Sequence, residues 1–325
     1  MAFFIVAGWA VAMSRLGWWG IFAETWPISL TMVFGSFIAG ATAEGGGAVA
    51  FPVFTKLFGI DARDARIFAF MIQSFGMTMA ALVIWLRGIR VLWNVVGVGV
   101  AAGVVGLLLG ENLLALPDPY PKLVFTVTAL VFGGFLVVNR WWIDDTPLRA
   151  LRLDRPLVVV PILVTGFVGG LISSVVGVGL DMMIFIVLTL LLGIDEKVST
   201  PTTVVMMGLL SLAGFAWHLQ LPGSISGEVW GYWMSCIPIV IFGAPLGAWF
   251  CQRISRDQLI GLLLVLIAVE FVTTLWVVPI GSLETVVLLG VVGVTTVLFA
   301  LLIRGRGKLR RLDPNPGDHD GYRPA

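Results

Sequence analysis

The sequence predicts an all-α polytopic membrane protein made of two inverted repeats, each a glycine-broken half-helix pair plus three transmembrane helices. Three observations carry that prediction. Of the 325 residues, 58% are hydrophobic and 12% charged, with mean hydropathy +1.01; soluble domains are roughly 45–50% apolar and about 25% charged. Apolar runs of the ~20 residues that cross a bilayer recur along the chain. A glycine-rich interruption then occurs twice, 134 residues apart.

The elements follow in order. Residues 1–26 are apolar but lack a basic start and a small-residue cleavage site, so they read as an extra helix or interfacial anchor rather than a removed leader. The first repeat spans 27–139. It opens with a region broken by "ATAEGGG" at 41–47 into pieces 27–41 and 45–58, followed by runs 67–86, 91–110 and 123–139. Residues 140–155 form a charged linker. The second repeat spans 156–278. It opens with a region broken by "GVGLD" at 177–181 into 156–176 and 180–192, followed by runs 198–217, 229–252 and one that begins within the repeat and extends over 258–283, interrupted only by Glu270. A last helix (279–303) and a basic, then polar tail (304–325) close the chain. Trp85, Trp93, Trp141, Trp142 and Trp249 stand at run ends, as an interfacial belt requires.

Charge and cysteine content exclude whole classes. The net charge of +1 offers no face for nucleic acid. Cys236 and Cys251 are 15 residues apart in one apolar run, about 22 Å along a helix, too far for a disulfide. No metal-ligand spacing exists with only His218 and His319 to help, and no cofactor is implied. HExxH, GxSxG and phosphate-binding GxxxxGK motifs are all missing, and "GVGLD" has one residue too many for an intramembrane aspartyl protease. The sequence does not read as an enzyme.

Loop charge sets orientation. If the basic tail is cytoplasmic and each broken region enters and returns on one side, 15 Lys and Arg fall inside; Arg15, Lys56, Arg63, Arg66 and Lys122, five in all, fall outside. If each broken region crosses once, the split falls to 13 against 7. The first arrangement is favoured. It places a multi-pass chain in the plasma membrane with its C-terminus in the cytoplasm.

The two broken regions are copies. "GIDARDA" at 59–65 matches "GIDEKVS" at 193–199, which also sets Gly45 on Gly179 and Gly35 on Gly169. "GLLLG" at 106–110 matches "GAPLG" at 243–247. Five segments per copy is an odd number, so the second copy is inverted in the membrane. Close helix packing explains GxxxG pairs such as Gly99/Gly103 and Gly166/Gly170. It does not explain a break that recurs at equivalent places, which is the pattern of secondary transporters.

These residues resemble a known family. "GSFIAGATAEGGGAVAFPVFTKLFGIDARDA" is similar to the glycine-rich opening of the sulfite exporter TauE/SafE family, also called the 4-toluene sulfonate uptake permease family. "GFVGGLISSVVGVGLDMMIFIVLTLLLGIDEKVSTPTT" repeats it, and "FGAPLGAWF" at 242–250 resembles its late glycine-rich helix. The resemblance covers roughly residues 27–303. It implies a multi-pass transporter of the plasma membrane (a bacterial inner membrane) for sulfur-containing or related organic anions such as sulfite or a sulfonate. Three departures stand out. Glu44 precedes the glycines where the family has an apolar residue, Asp181 stands where the first copy has Gly47, and Phe68 and Ala69 replace a Thr-Ser pair.

Helix N-termini exposed at a break carry unpaired N–H groups that bind anions. Gly45, Gly46, Gly47, Gly177 and Gly179 are therefore the expected substrate cradle. Gln73, Ser74, Ser173, Ser174, Thr202 and Thr203 would add amide and hydroxyl donors, although each Ser or Thr has the competing option of bonding its own helix carbonyl. Glu44 and Asp181 are acids at membrane depth, where they are costly and usually functional. Proton coupling and helix N-capping are both open for them. Glu270 reads as a pair within the bundle or a second proton site, Glu111 as interface-solvated, His218 as an outer-surface residue, and Lys56 and Arg66 as part of a solvated charged loop. The expected partners are the lipid bilayer and a small anion, with a homo-oligomer left open. The alternative to a proton-coupled secondary transporter is an anion channel or an accessory subunit with no transport cycle of its own; no continuous polar stripe marks a channel.

Overall fold

The structure, a computed structural model, describes residues 2–141, Leu148, 156–278 and isolated positions beyond. Most of the expected linker, the last helix and the tail lie outside the described residues. Among the described residues the chain is all-helical. The helices are α1 (Ala2–Leu16), α2 (Ile21–Ala41), α3 (Gly47–Pro52), α4 (Ala62–Leu86), α5 (Trp93–Leu113), α6 (Tyr120–Trp141), α7 (Pro156–Val176), α8 (Leu180–Ile186), α9 (Glu196–Gln220), α10 (Gly227–Cys251) and α11 (Arg256–Val277). Eight are long and apolar enough to cross a membrane: α2, α4, α5, α6, α7, α9, α10 and α11.

The 134-residue offset seen in the sequence carries α4 onto α9 end to end. Asp61 caps α4 by accepting from Arg63 N, and Asp195 caps α9 by accepting from Lys197 N. This is the first-turn bond that short acidic side chains supply. Each short helix, α3 and α8, runs on into a π turn (Val53–Leu57 and Val187–Leu191). The wide turns close through Phe58 N to Val53 O at 3.1 Å and Leu192 N to Val187 O at 3.0 Å. π turns of this kind concentrate at functional sites.

Of the two leading pieces, 156–176 coincides with α7, whereas 27–41 falls short of α2, which begins at Ile21. α2 and α7 each run 21 residues, about 31 Å at 1.5 Å per residue. Their prolines, Pro27 and Pro161, remove one N–H bond each but leave the helix continuous. Thr31 and Thr165 donate to the Pro27 and Pro161 carbonyls at 2.9 and 2.6 Å, one turn on. These are the ordinary bonds of a helical threonine to the carbonyl one turn back.

The copies interlock: α2 packs chiefly on α10, and α7 chiefly on α5. Small residues make the approach close, since lipid offers no hydrophobic drive between helices and contact must supply the energy. A Cβ on Gly40 would stand 1.8 Å from the Ala244 carbonyl, and one on Gly110 would stand 1.9 Å from Ser174 Oγ. These two contacts are equivalent under the offset. The largest core joins α3, α4, α7, α8 and α9 around Phe51, Phe54, Phe68, Phe70 and Met207. A second core sets α6 and α11 against α8 through Phe132, Phe135 and Phe185. α1 lies against α10, where Trp9 donates to the Met234 carbonyl at 2.7 Å. Apolar side chains of α11 such as Val265, Val269 and Trp276 face outward, as a lipid-facing helix requires.

Candidate functional site

The site grows from the two breaks. α2 ends at Ala41, where the Thr42 hydroxyl and amide both donate to Ile38 O at 3.0 Å. The same hydroxyl accepts from Glu44 N at 3.2 Å. The chain turns through Gly45 at φ +70°, a conformation that needs glycine, and restarts as α3. In the second copy α7 ends at Val176, and the chain turns through Gly177 at φ +81°. Ser173 Oγ accepts from Leu180 N at 3.2 Å. Asp181 Oδ1 accepts from Gly179 N at 3.2 Å and Met182 N at 3.0 Å, so its carboxylate sits on the amides that open α8.

The two breaks meet. A Cβ on Gly47 would stand 2.3 Å from Val178 Cγ1. A Cβ on Gly45 would stand 2.7 Å from Asp181 Oδ2 and 2.9 Å from Gln73 Oε1. Only glycines allow this approach. α4 lies along the second break with one face: Arg66 NH1 donates to Ser174 O, Ala69 packs against Gly177, and Gln73 Nε2 donates to Ala69 O and Gly177 O, both at 3.0 Å.

Three oxygens at this junction are buried without a hydrogen-bond partner: Glu44 Oε1, Gln73 Oε1 and Asp181 Oδ2. Their residues are 2%, 2% and 0% exposed. A buried polar atom without a partner is costly and marks a strained or ligand-binding place.

The structure thus brings together Gly45, Gly46, Gly47, Glu44, Gln73, Ser173, Gly177, Gly179 and Asp181. The other expected donors are engaged elsewhere. Ser74 donates to Met71 O and Ser174 to Leu171 O, both at 2.7 Å. Thr202 donates to Val198 O at 2.7 Å and accepts from Leu92 N at 3.1 Å, and Thr203 donates to Thr200 O at 3.1 Å.

Two buried charged groups have partners that the sequence did not name, although a pair within the bundle was one reading of Glu270. Lys56, expected on a solvated loop, turns inward from the first π turn and pairs with Glu270 of α11; both side chains are 5% exposed. Lys56 also donates to Thr274 Oγ1 at 2.7 Å, and Thr126 donates to Glu270 Oε1 at 2.8 Å. The pair floors an apolar cavity of about 360 Å³ between α3, its π turn and α11. Arg66, five residues into α4, pairs with Glu111 at 3.1 Å. Glu111, expected at a solvated interface, is buried, and its other oxygen lies 3.4 Å from His218 Nε2. His218 Nδ1 and Ser224 Oγ share a hydrogen bond of 2.7 Å. His218 is also buried rather than on the surface. The group lines a vestibule of about 500 Å³ together with Arg63, Asp61 and Trp217. Cys236 and Cys251 are free and buried.

Among the described residues no cluster of His, Cys, Asp and Glu fits a metal ion. No curated protein and no solved structure matches the chain. The family model described as sulfite exporter TauE/SafE matches residues 28–274, from within α2 to within α11 and across both breaks. With three quarters of its length matched, from the first break to the last described helix, this chain belongs to the TauE/SafE family of membrane sulfite exporters.

Proposed function

We propose that the chain is a secondary transporter that moves a small anion, sulfite, a sulfonate or a related sulfur or organic anion, across the plasma membrane with proton coupling. The observation that carries this is the meeting of the two glycine breaks in a chain of this exporter family; the unpartnered oxygens beside them are acceptors, so they must be neutralised before an anion enters. The anion is received at Gly45, Gly46 and Gly47 and at Gly177 and Gly179, with Ser173 beside them. Glu44 and Asp181 take up protons, which relieves the repulsion between a carboxylate and an anion in one site.

Inverted repeats are part of the reading. α4 and α9, equivalent helices, lie side by side and run in opposite senses. Arg66 near the start of α4 shares Glu111 with His218 near the end of α9, while Leu92, just past α4, bonds Thr202 near the start of α9. The sidedness follows the charges. Arg140 pairs with Asp257 at 2.6 Å and Asn139 with Glu196 at 2.9 Å on the side counted as cytoplasmic. Arg66, Glu111 and His218 gather on the other.

The test is flux in sealed vesicles holding the purified chain. Saturable uptake or efflux of sulfite, thiosulfate or a sulfonate that follows an imposed pH gradient is expected. Unsaturable flux would point instead to a channel, and no flux with any of these anions dismisses the proposal.

A further inference from the structure

We propose that Asp181, Gln73 and Glu44 hold one monovalent hard cation, a proton or a sodium ion, between the two breaks. The inference deepens the transporter reading by naming the place and chemistry of its coupling ion.

The argument begins with Gln73, which the sequence placed among the anion-binding donors. Its amide orientation is fixed by its neighbours. Nε2 faces two carbonyls, Ala69 O and Gly177 O, each at 3.0 Å. The reverse orientation would set oxygen against oxygen twice and is excluded. Oε1 is therefore turned toward the first break, where it stands within 3 Å of the point that a Cβ on Gly45 would take. Asp181 Oδ2 stands 2.7 Å from the same point. Both oxygens are acceptors, and neither has a donor. Glu44 adds a third buried oxygen without a donor.

Such a group repels an anion and suits a positive charge. A proton on Asp181 Oδ2 would donate to Gln73 Oε1 and satisfy both atoms at once. A sodium ion would take Asp181 Oδ2 and Gln73 Oε1, with the carboxylate of Glu44, one residue before Gly45, to complete the all-oxygen environment that hard cations prefer. Asp181 Oδ1 is already held by Gly179 N and Met182 N, so the carboxylate presents Oδ2 without having to reorient. Gln73 from α4 faces Asp181 across the Gly45 turn, Glu44 is the titratable residue that precedes this glycine, and Ser173 of α7 holds Leu180 N beside them. Glu270, paired with Lys56, is the next acid within electrostatic reach of Glu44. The site draws on both copies and on α4, so its occupancy decides whether the two breaks attract or repel each other.

The experiment measures thermal unfolding of the purified full chain in detergent. Sodium chloride is exchanged for choline chloride at constant ionic strength, at pH 6 and at pH 8.5. Wild type is expected to gain on the order of 5 °C in saturating sodium at pH 8.5, or the same on acidification whatever the salt. The first outcome assigns the site to sodium and the second to the proton. Asp181→Asn keeps the acceptor at Oδ1 and supplies an N–H to Gln73 in place of the cation. It is expected to unfold at or above the wild-type temperature and to lose the response. If Asp181→Asn does not fold, Glu44→Gln takes its place and is expected to weaken the response at least threefold. A wild type indifferent to sodium and pH, or a variant that keeps the full response, overturns the proposal. No anion is present, so a cation response without anion flux keeps this site and dismisses the transporter reading, and flux without a cation response does the reverse.

Discussion

Gln73 donates to the Gly177 carbonyl at 3.0 Å, so a side chain from the first copy holds the break of the second. Gly177 sits at φ +81°, and Gln73 is the side chain that fixes its carbonyl. Gln73→Met removes the donor while keeping the volume. The loss of a buried bond that leaves a carbonyl unpaired costs about 1–3 kcal/mol, and a lower unfolding temperature is expected. Ser74→Ala, next door, removes a hydroxyl that only bonds its own helix and should change stability by less than about 0.5 kcal/mol. Equal effects from the two substitutions would show that the tie to Gly177 is unimportant.

Gly40 and Gly97 separate packing from helix propensity. Gly40→Ala puts a methyl 1.8 Å from the Ala244 carbonyl and forces α2 from α10. A loss of about 1–3 kcal/mol is expected, read as a lower yield of monodisperse protein and earlier unfolding. Gly97→Ala meets open space and should leave stability unchanged or raise it by up to about 1 kcal/mol. A Gly40→Ala protein as stable as wild type would mean that the helices are not held at this distance.

Lys56 and Glu270 make a double-mutant cycle. Removing one partner leaves a charge buried alone, at a cost of about 3–5 kcal/mol. Lys56→Met and Glu270→Gln should therefore each destabilise strongly, and the double variant should recover most of the loss. Additive losses would count against a direct pair.

Arg66 holds Glu111 with one nitrogen and the Ser174 carbonyl, just before the second break, with another. Lysine keeps the charge and loses the fork. Arg66→Lys should lower stability by about 1–2 kcal/mol and reduce anion flux by loosening the end of α7. Flux and unfolding temperature both at wild-type values would remove Arg66 from the support of the break.

Glu44→Gln keeps the side chain's size and removes its titration. Flux through this variant is expected to lose most of its dependence on pH. If the full dependence persists in the vesicle assay, Glu44 is not the coupling group.

What the sequence revealed and what it hid divide along physical lines. Apolar runs and glycine breaks are local signals, so the spans, both interruptions and the match of α4 to α9 were readable from composition and spacing. The start of α2 at Ile21, ahead of Pro27, was not, whereas α7 matches the expected piece 156–176. Pairings across the chain leave no local trace. Lys56 meets Glu270 214 residues away, and Arg66 meets Glu111 45 residues away. Gln73 is the sharpest case. A glutamine amide offers donors and an acceptor in equal measure, and only the carbonyls of Ala69 and Gly177 decide which end faces the junction.

The interlocking of the copies has a consequence for biosynthesis. α2 finds its main neighbour in α10, with Ser29 and Ser235 facing each other 206 residues apart. At roughly 5–20 residues per second, α2 waits ten seconds or more in the membrane before α10 is made. Its glycine face tolerates the wait, because lipid tails are as apolar as the helix they replace. Glu44 and the open start of α3 do not, since polar groups cannot stay bare in hydrocarbon. The first half must therefore be sheltered, by the insertion machinery or by its own helices, until the second half emerges to close over it.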